Sequence, residues 1–211
     1  MATETDDAVR DLYERYPYPR QPGSLEPFLR GDRAPTWNLR DSWSLYFPEK
    51  PPRNDVDVLL AGCGTTVAPR LAAVMPEARI VAVDISDNSL EISRSLAEQH
   101  GLTNIEHVRC ALENVGDLKR TFDFVESHGV LRHLADPVAG LQALGEVTRP
   151  DGALGLMVYG KHGRTGLYML QEACRRMGLG TDQRSGERVQ ALLTTLSPDH
   201  PFRAVHADPG A

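Results

Sequence analysis

The stretch LLAGCGTT, Leu59–Thr66, leaves an apolar run and turns through two glycines. A glycine-rich turn at the end of a strand lets backbone N–H groups approach a small molecule closely. Two familiar nucleotide loops do not match it. The dinucleotide fingerprint needs a third glycine for close helix–strand packing, and Val67 stands there. The triphosphate loop needs Gly-Lys-Ser/Thr, which never follows.

Outward from this turn the text is periodic. VDVLLAG (56–62) is a nearly continuous apolar run, which predicts a strand buried on both faces, and ARIVAVDIS (78–86) predicts a second. Between them VAPRLAAVMP reads as a helix, with Pro69 tolerated in its first turn. NSLEISRSLAEQHG is a helix with Asn88 as its cap and Gly101 as its stop. NIEHVRC and FDFVES read as the third and fourth strands. In DPVAGLQALGEVTRPDG, Asp136 caps a helix, Pro137 takes its first position and Val138, Leu141 and Leu144 form a buried stripe that ends at an RPDG turn. ALGLMVYG is the fifth strand. Strands alternating with helices over 55–160 predict right-handed βαβ units in an α/β, doubly wound, mainly parallel sheet with helices on both faces.

The flanks differ. Residues 1–54 open with a helix over Thr5–Tyr16, ended by Pro17, and continue through YPYPRQPGSLEPF and TWNLRDSWSLYFPEKPP. They hold Trp37, Trp43, Tyr13, Tyr16, Tyr18 and Tyr46, so this segment is expected to be an aromatic arm or lid packed on the core. Its arginines (Arg10, Arg15, Arg20, Arg30, Arg33, Arg40) serve either an anionic ligand group or neighbouring acids. Residues 161–211 carry two amphipathic helices, RTGLYMLQEACRRMG and GERVQALLTTL, and then SPDHPFRAVHADPGA, which offers no strand and reads as frayed or cut short.

The 211 residues suffice for one α/β domain with a modest appendage. A net charge of −6 disfavours nucleic acid and anionic membranes as partners. No apolar run reaches about 18 residues, and the first twenty lack a basic-then-apolar order, so a cytoplasmic location is expected. Cys63, Cys110 and Cys174 are an odd set without C-x-x-C spacing and read as reduced thiols. The seven histidines lack metal-ligand spacing, and no metal is expected.

Asp84 closes the second strand twenty positions after Gly64, where a carboxylate accepts hydrogen bonds from ribose hydroxyls. With no phosphate cradle, the expected ligand is a nucleoside without phosphates. S-adenosyl-L-methionine (SAM), whose sulfonium is cationic, suits an acidic pocket containing Asp84, Glu113 and Glu126.

In order and spacing, DVLLAGCGTT, IVAVDIS, HVRCALENV, FDFVESHGVLRHLADP and LGEVTRPDGALGLMVYG resemble the successive motifs of class I SAM-dependent methyltransferases, in the branch with an AGCGT first motif and an N-terminal YPYPR arm. The resemblance covers about residues 55–160 and implies a Rossmann-like sheet of order 3-2-1-4-5. It places Ala61, Gly62 and Gly64 beside the methionine part of SAM, Asp84 on the ribose and Ile85 on the adenine. Leu112 and Glu113 would flank the adenine, and Ser127, His128 and Gly129 would run beside the donor methyl group. Leu60, Thr66 and Ala111 depart from the pattern, Leu60 by lacking an acid that contacts the amino group of SAM. Relatives usually close the sheet with an antiparallel pair, which is not found before Ala211. The chain is therefore expected either to be a truncated form or to leave an edge strand covered by helices or a partner.

His128 and His133, at the fourth strand's carboxyl end, are candidate general bases, the alternatives being a hydrogen bond to SAM or backbone and local capping. Tyr16 and Tyr18 either close over the site or simply pack. Cys63 reads as a small filler and YGKHGRTG as a solvated loop. The expected activity is methyl transfer to an O, N or C nucleophile of a small molecule, peptide or protein. A catalytically silent SAM-binding scaffold and an NAD(P)-dependent oxidoreductase are the alternatives, and a homo-oligomer stays open.

Overall fold

The computed structural model describes residues 4–19, 23–30, 39–180, 182–197 and 199–200; Arg20, Arg33, Trp37 and the stretch 201–211 lie outside the described residues. Five parallel strands form one sheet: β1 (Asp57–Ala61), β2 (Arg79–Asp84), β3 (Ile105–Arg109), β4 (Phe122–His128) and β5 (Thr148–Met157). Their order is β3-β2-β1-β4-β5, the doubly wound arrangement expected. Strand order reverses beside β1, so the crevice between the carboxyl ends of β1 and β4 is the switch point.

The apolar text of β1 is explained by its two covered faces. Val58 and Leu60 enter one cluster with Phe124, Leu71 and Ala72 of α4 (Val67–Val74) and Trp43 of α3 (Trp43–Tyr46). Leu59 and Ala61 enter the other with Val81, Val83 and Val125, covered by Leu144 and Val147 of α6 (Pro137–Val147). Successive strand residues point to opposite faces, so burial on both leaves no polar alternation to read. Ahead of these elements lie α1 (Glu4–Arg15) and the single turn α2 (Glu26–Leu29), and α5 (Asp87–Gln99) joins β2 to β3.

Three local expectations are corrected. The cap of α5 is Ser86, whose Oγ accepts the Ser89 N–H at 3.0 Å, and not Asn88. The chain is still extended at Ser86 and helical from Asp87, so the capping position comes earlier. Asp136 does cap α6, accepting from the N–H groups of Val138 and Ala139 at 3.0 Å. Its buried stripe, however, is Gly140, Leu144 and Val147, while Val138 and Leu141 are 63% and 40% exposed. Gly140 carries no hydrophobic letter, yet a Cβ there would lie 2.3 Å from Leu134 Cδ1, so the helix approaches through its missing side chain. RPDG does not end the helix as a separate turn. It lies within β5 as a bulge, since Phe122 pairs with Thr148 but Phe124 with Ala153.

The amino ends of the strands are tied by charge. Arg149 binds Asp57 and Asp123 at 2.8 Å each, and Asp57 also meets Arg79 at 2.5 Å. Three of the arm's arginines are engaged as well: Arg10 with Asp7 at 2.9 Å, Arg30 with Glu26 at 3.5 Å, and Arg40 with the Val74 carbonyl at 3.3 Å. The chain divides into two compact units at Val158/Tyr159. The second contains α7 (Thr165–Arg176) and α8 (Gln183–Thr195), the latter capped by Asp182 through the Ser185 N–H at 3.0 Å. Among the described residues no helix is long and apolar enough to cross a membrane.

Candidate functional site

At the carboxyl end of β1 the chain turns with Gly62 at φ +79° and Gly64 at φ +55°, the left-handed region that glycine adopts without strain. The N–H groups of Gly62 and Cys63 both donate to the Val83 carbonyl, at 2.9 and 3.0 Å. Asp84 then holds the turn from β2. One carboxylate oxygen accepts the Gly64 N–H at 2.8 Å, and the other accepts the Ser86 N–H at 3.0 Å. Burial raises the Asp84 pKa, and these N–H groups oppose the rise. Cys63 beside it is buried, its thiol pushed well up by burial and by Asp84, which leaves it an inert filler.

On the side where a Cβ would stand, the close approach offered by the glycines is taken up by the chain itself. A Cβ on Gly64 would sit 2.4 Å from the Tyr18 carbonyl oxygen, and one on Gly62 would sit 2.3 Å from Val130 Cγ2. The arm reaches the loop through its backbone: the Tyr18 carbonyl accepts from Thr65 N–H at 3.3 Å, and the Pro19 carbonyl from Thr65 Oγ1 at 2.6 Å. Tyr16 and Tyr18, expected either to close over the site or simply to pack, are about half exposed.

Two residues that sequence reasoning passed over do the bridging. Glu14 accepts from the N–H groups of Asp87 (2.7 Å) and Asn88 (3.3 Å), the first turn of α5, where a carboxylate meets the positive end of the helix dipole. Its neighbour Tyr13 shares a hydrogen bond with His133 Nε2 at 3.2 Å, the rings meeting edge to face. Helix α5 follows β2 and His133 follows β4, so α1 spans the crevice above β1. Glu14→Ala is expected to accelerate amide exchange in α1 about tenfold, the loss of about 1.5 kcal/mol of charge-assisted hydrogen bonding. Tyr16→Phe should leave that exchange unchanged; equal rates in both variants would rule out the Glu14 bridge to α5.

On β4, Glu126, Ser127 and His128 end the strand at the crevice. Glu126 is 7% exposed, and burial pushes its pKa up to about 7. Its Oε1 lies 3.4 Å from His128 Nδ1, an ion-pair distance but long for a hydrogen bond. Burial also lowers the His128 pKa, so both groups lean towards their neutral forms and the pair is weak. His133 is lowered by burial and then by Arg132. Both histidines therefore favour the neutral form that can accept a proton. Ser127 Oγ and Thr66 Oγ1 are buried with no hydrogen-bond partner among the described residues. Ala61 is buried, while Ile85 and Glu113 are half-buried. The Leu112 side chain is committed to the core, near Gly140. Leu60, the position lacking an acid, pairs in register with Glu126.

A cavity of about 610 Å³ opens at the other end of the sheet, lined by Asp57, Arg79, Glu106, Arg120 and Arg149. These guanidinium groups are already paired with Asp57, Asp123 and Glu106, and ligands of parallel α/β sheets bind at the opposite, carboxyl ends. The candidate site is the crevice.

A family model described as a methyltransferase domain matches residues 52–173. The chain belongs to this methyltransferase family. The match, the sheet order and the glycine turn together identify a class I, SAM-dependent methyltransferase fold. An uncharacterized protein of Synechococcus sp. is 32% identical over 82% of this chain and 42% of its own length. The tRNA 5-carboxymethoxyuridine methyltransferase of Escherichia coli is 30% identical over 58% of this chain and 45% of its own. The chain thus aligns with less than half the length of either relative. Among solved structures, PKMT2 from Rickettsia typhi in complex with AdoHcy shares the fold, with a TM-score of 0.58 and 21% identity over 81% of this chain and 34% of that one.

Proposed function

We propose that this methyltransferase-family chain binds SAM in the crevice between β1 and β4 and transfers its methyl group to an O, N or C nucleophile of a small molecule, peptide or protein. One observation carries the reading. Among the described residues the buried charged side chains are Asp84 and Glu126, both carboxylates and both at the carboxyl ends of strands flanking β1. A site built this way favours a cationic nucleoside over an anionic dinucleotide, and Leu59–Val67 contains neither lysine nor arginine to meet a phosphate. The buried Ser127 hydroxyl at the same end has no hydrogen-bond partner among the described residues, which fits a polar ligand group there.

In this reading Ala61, Gly62 and Gly64 line the methionine part of the cofactor. Asp84 accepts the ribose hydroxyls with lone pairs left over from its two backbone bonds. Ile85, Leu112 and Glu113 border the adenine, and Ser127 and His128 stand beside the donor methyl group. When bound, SAM supplies a methyl carbon activated by its sulfonium. The protein's part is to align the acceptor, exclude water and, for an acceptor that carries a proton, to take that proton on His128. His133, held by Tyr13, is the second candidate base. Tyr16 and Tyr18 border the acceptor's approach. The free thiols of Cys63, Cys110 and Cys174 suit a reducing cytoplasm, and the net charge of −6 favours an acceptor other than nucleic acid.

Titration calorimetry with S-adenosylhomocysteine (SAH) and with NAD tests the reading. SAH is expected to bind in the micromolar range and NAD not at all; the reverse would overturn it. Labelled SAM offered with mixed acceptor pools then separates an enzyme from a silent scaffold, which would bind SAH and transfer nothing.

A further inference from the structure

Beside the glycine turn stands an acid that no motif accounts for. Glu126 lies in register with Leu60 of β1 on one side and with Gly155 of β5 on the other. It occupies the β4 lip of the crevice, as Asp84 occupies the β2 lip. Neither neighbouring strand supplies it with a cation. Its described polar neighbours are His128 Nδ1 at 3.4 Å and the Tyr46 phenol of α3, whose pKa rises by burial and by the Glu126 charge. The α4 side chains packed in the same cluster, Ala68, Leu71 and Ala72, do not titrate, and the Cys63 thiol there stays protonated. A carboxylate buried to this degree, with no full counter-charge among the described residues, is destabilising unless something else supplies one.

Resting on the SAM reading, we propose that Glu126 is the anchor for the amino group of the cofactor's methionine tail. Asp84 ends β2 and Glu126 lies in the closing residues of β4, 126–128, on either side of β1, two strand spacings or roughly 10 Å apart across the sheet. A nucleoside whose ribose meets Asp84 and whose tail crosses the Gly62–Gly64 turn brings its ammonium to the β4 lip. The carboxylate that β1 lacks at Leu60 is thus supplied by the neighbouring strand, on the same face of the sheet. His128, two residues on, shares that face and borders the same tail.

The test compares SAH with its deaminated analogue, which keeps the carboxylate and lacks only the amino group. Glu126→Gln is expected to weaken SAH binding about tenfold to a hundredfold and to change affinity for the analogue less than about twofold. In the wild type, preference for SAH over the analogue should grow as pH rises from 6 to 8, because Glu126 ionises near 7. Stability supplies a control. Because the folded pKa lies above the ordinary value, Glu126 lends stability at low pH that is lost as pH rises towards 7. Apo Glu126→Gln should therefore melt higher than the wild type at pH 8, whereas a merely structural acid would make it melt lower. Equal weakening of both ligands, or a preference flat with pH, overturns the assignment. Wild-type protein that binds neither ligand removes the SAM reading itself, and the assignment with it.

Discussion

Asp84→Ala is expected to cut affinity for SAH more than about a hundredfold and to destabilise the apo protein by about 2–3 kcal/mol. The two effects have one cause. The carboxylate accepts the N–H groups of both Gly64 and Ser86, so its loss leaves two backbone donors unpaired where the loop meets β2. Each unpaired buried donor costs about 1–3 kcal/mol, discounted here because water can reach the vacated space. The same truncation removes the acceptor proposed for the ribose. Asp84→Asn separates the roles. It keeps the shape and one oxygen, but turns an amide donor towards a backbone donor, and it should fall between wild type and alanine in both measurements. Urea unfolding with calorimetry reads both quantities. A variant that melts like the wild type and still binds SAH would show that Asp84 organises neither loop nor ligand.

Gly64→Ala and Gly62→Ala should both destabilise, but only the second should be rescuable. Each forces an alanine into left-handed backbone, at about 1–2 kcal/mol. At Gly64 the new Cβ meets the Tyr18 carbonyl oxygen at 2.4 Å, which is backbone and has no side chain to trim. The arm must lift, losing its bonds to Thr65, and a total near about 3 kcal/mol is expected. At Gly62 the obstacle is Val130 Cγ2 at 2.3 Å. Val130→Ala in the Gly62→Ala background should recover part of the loss, a coupling visible in a double-mutant cycle. Amide exchange in the arm should rise for Gly64→Ala alone. Equal exchange in both variants would mean that the arm does not rest on Gly64.

The legible parts of this chain are those whose physical cause is local. Asp136 and Pro137 sit beside the N–H groups they serve, so the start of α6 can be read from letters. Apolar runs mark β1 and β2 because both faces are covered. The misses share an opposite character. Gly140 forms part of the buried stripe through what it lacks, and no periodicity of hydrophobic letters reveals it. RPDG has the composition of a turn, but the ladder to β4 absorbs it as a bulge. Ser86 displaced Asn88 as the cap because the strand–helix junction sets the register of capping, and Asn88 donates to the Glu14 carbonyl instead.

The site divides in the same way. Gly62, Gly64 and Asp84 are recognisable because a glycine turn and an acid at the end of the next strand keep a fixed spacing in βαβ units. Glu14 looked like any surface acid and Tyr13 like any arm aromatic, since their partners are more than seventy positions away. Glu126 was legible as an acid near the site, but not as the neighbour of Leu60.

By itself, the sequence determined the alternation of strands and helices, the glycine turn without a phosphate cradle, and the acid that closes β2. All three follow from side-chain periodicity, backbone conformation and short-range hydrogen bonding. Only the tertiary structure decided which residues share the crevice: α1 crossing it through Glu14 and Tyr13, the arm's carbonyls filling the space at Gly64, and a carboxylate on β4 standing beside an apolar position on β1. Those contacts depend on strand register and loop closure over long separations, where burial and desolvation, rather than local preference, set the outcome.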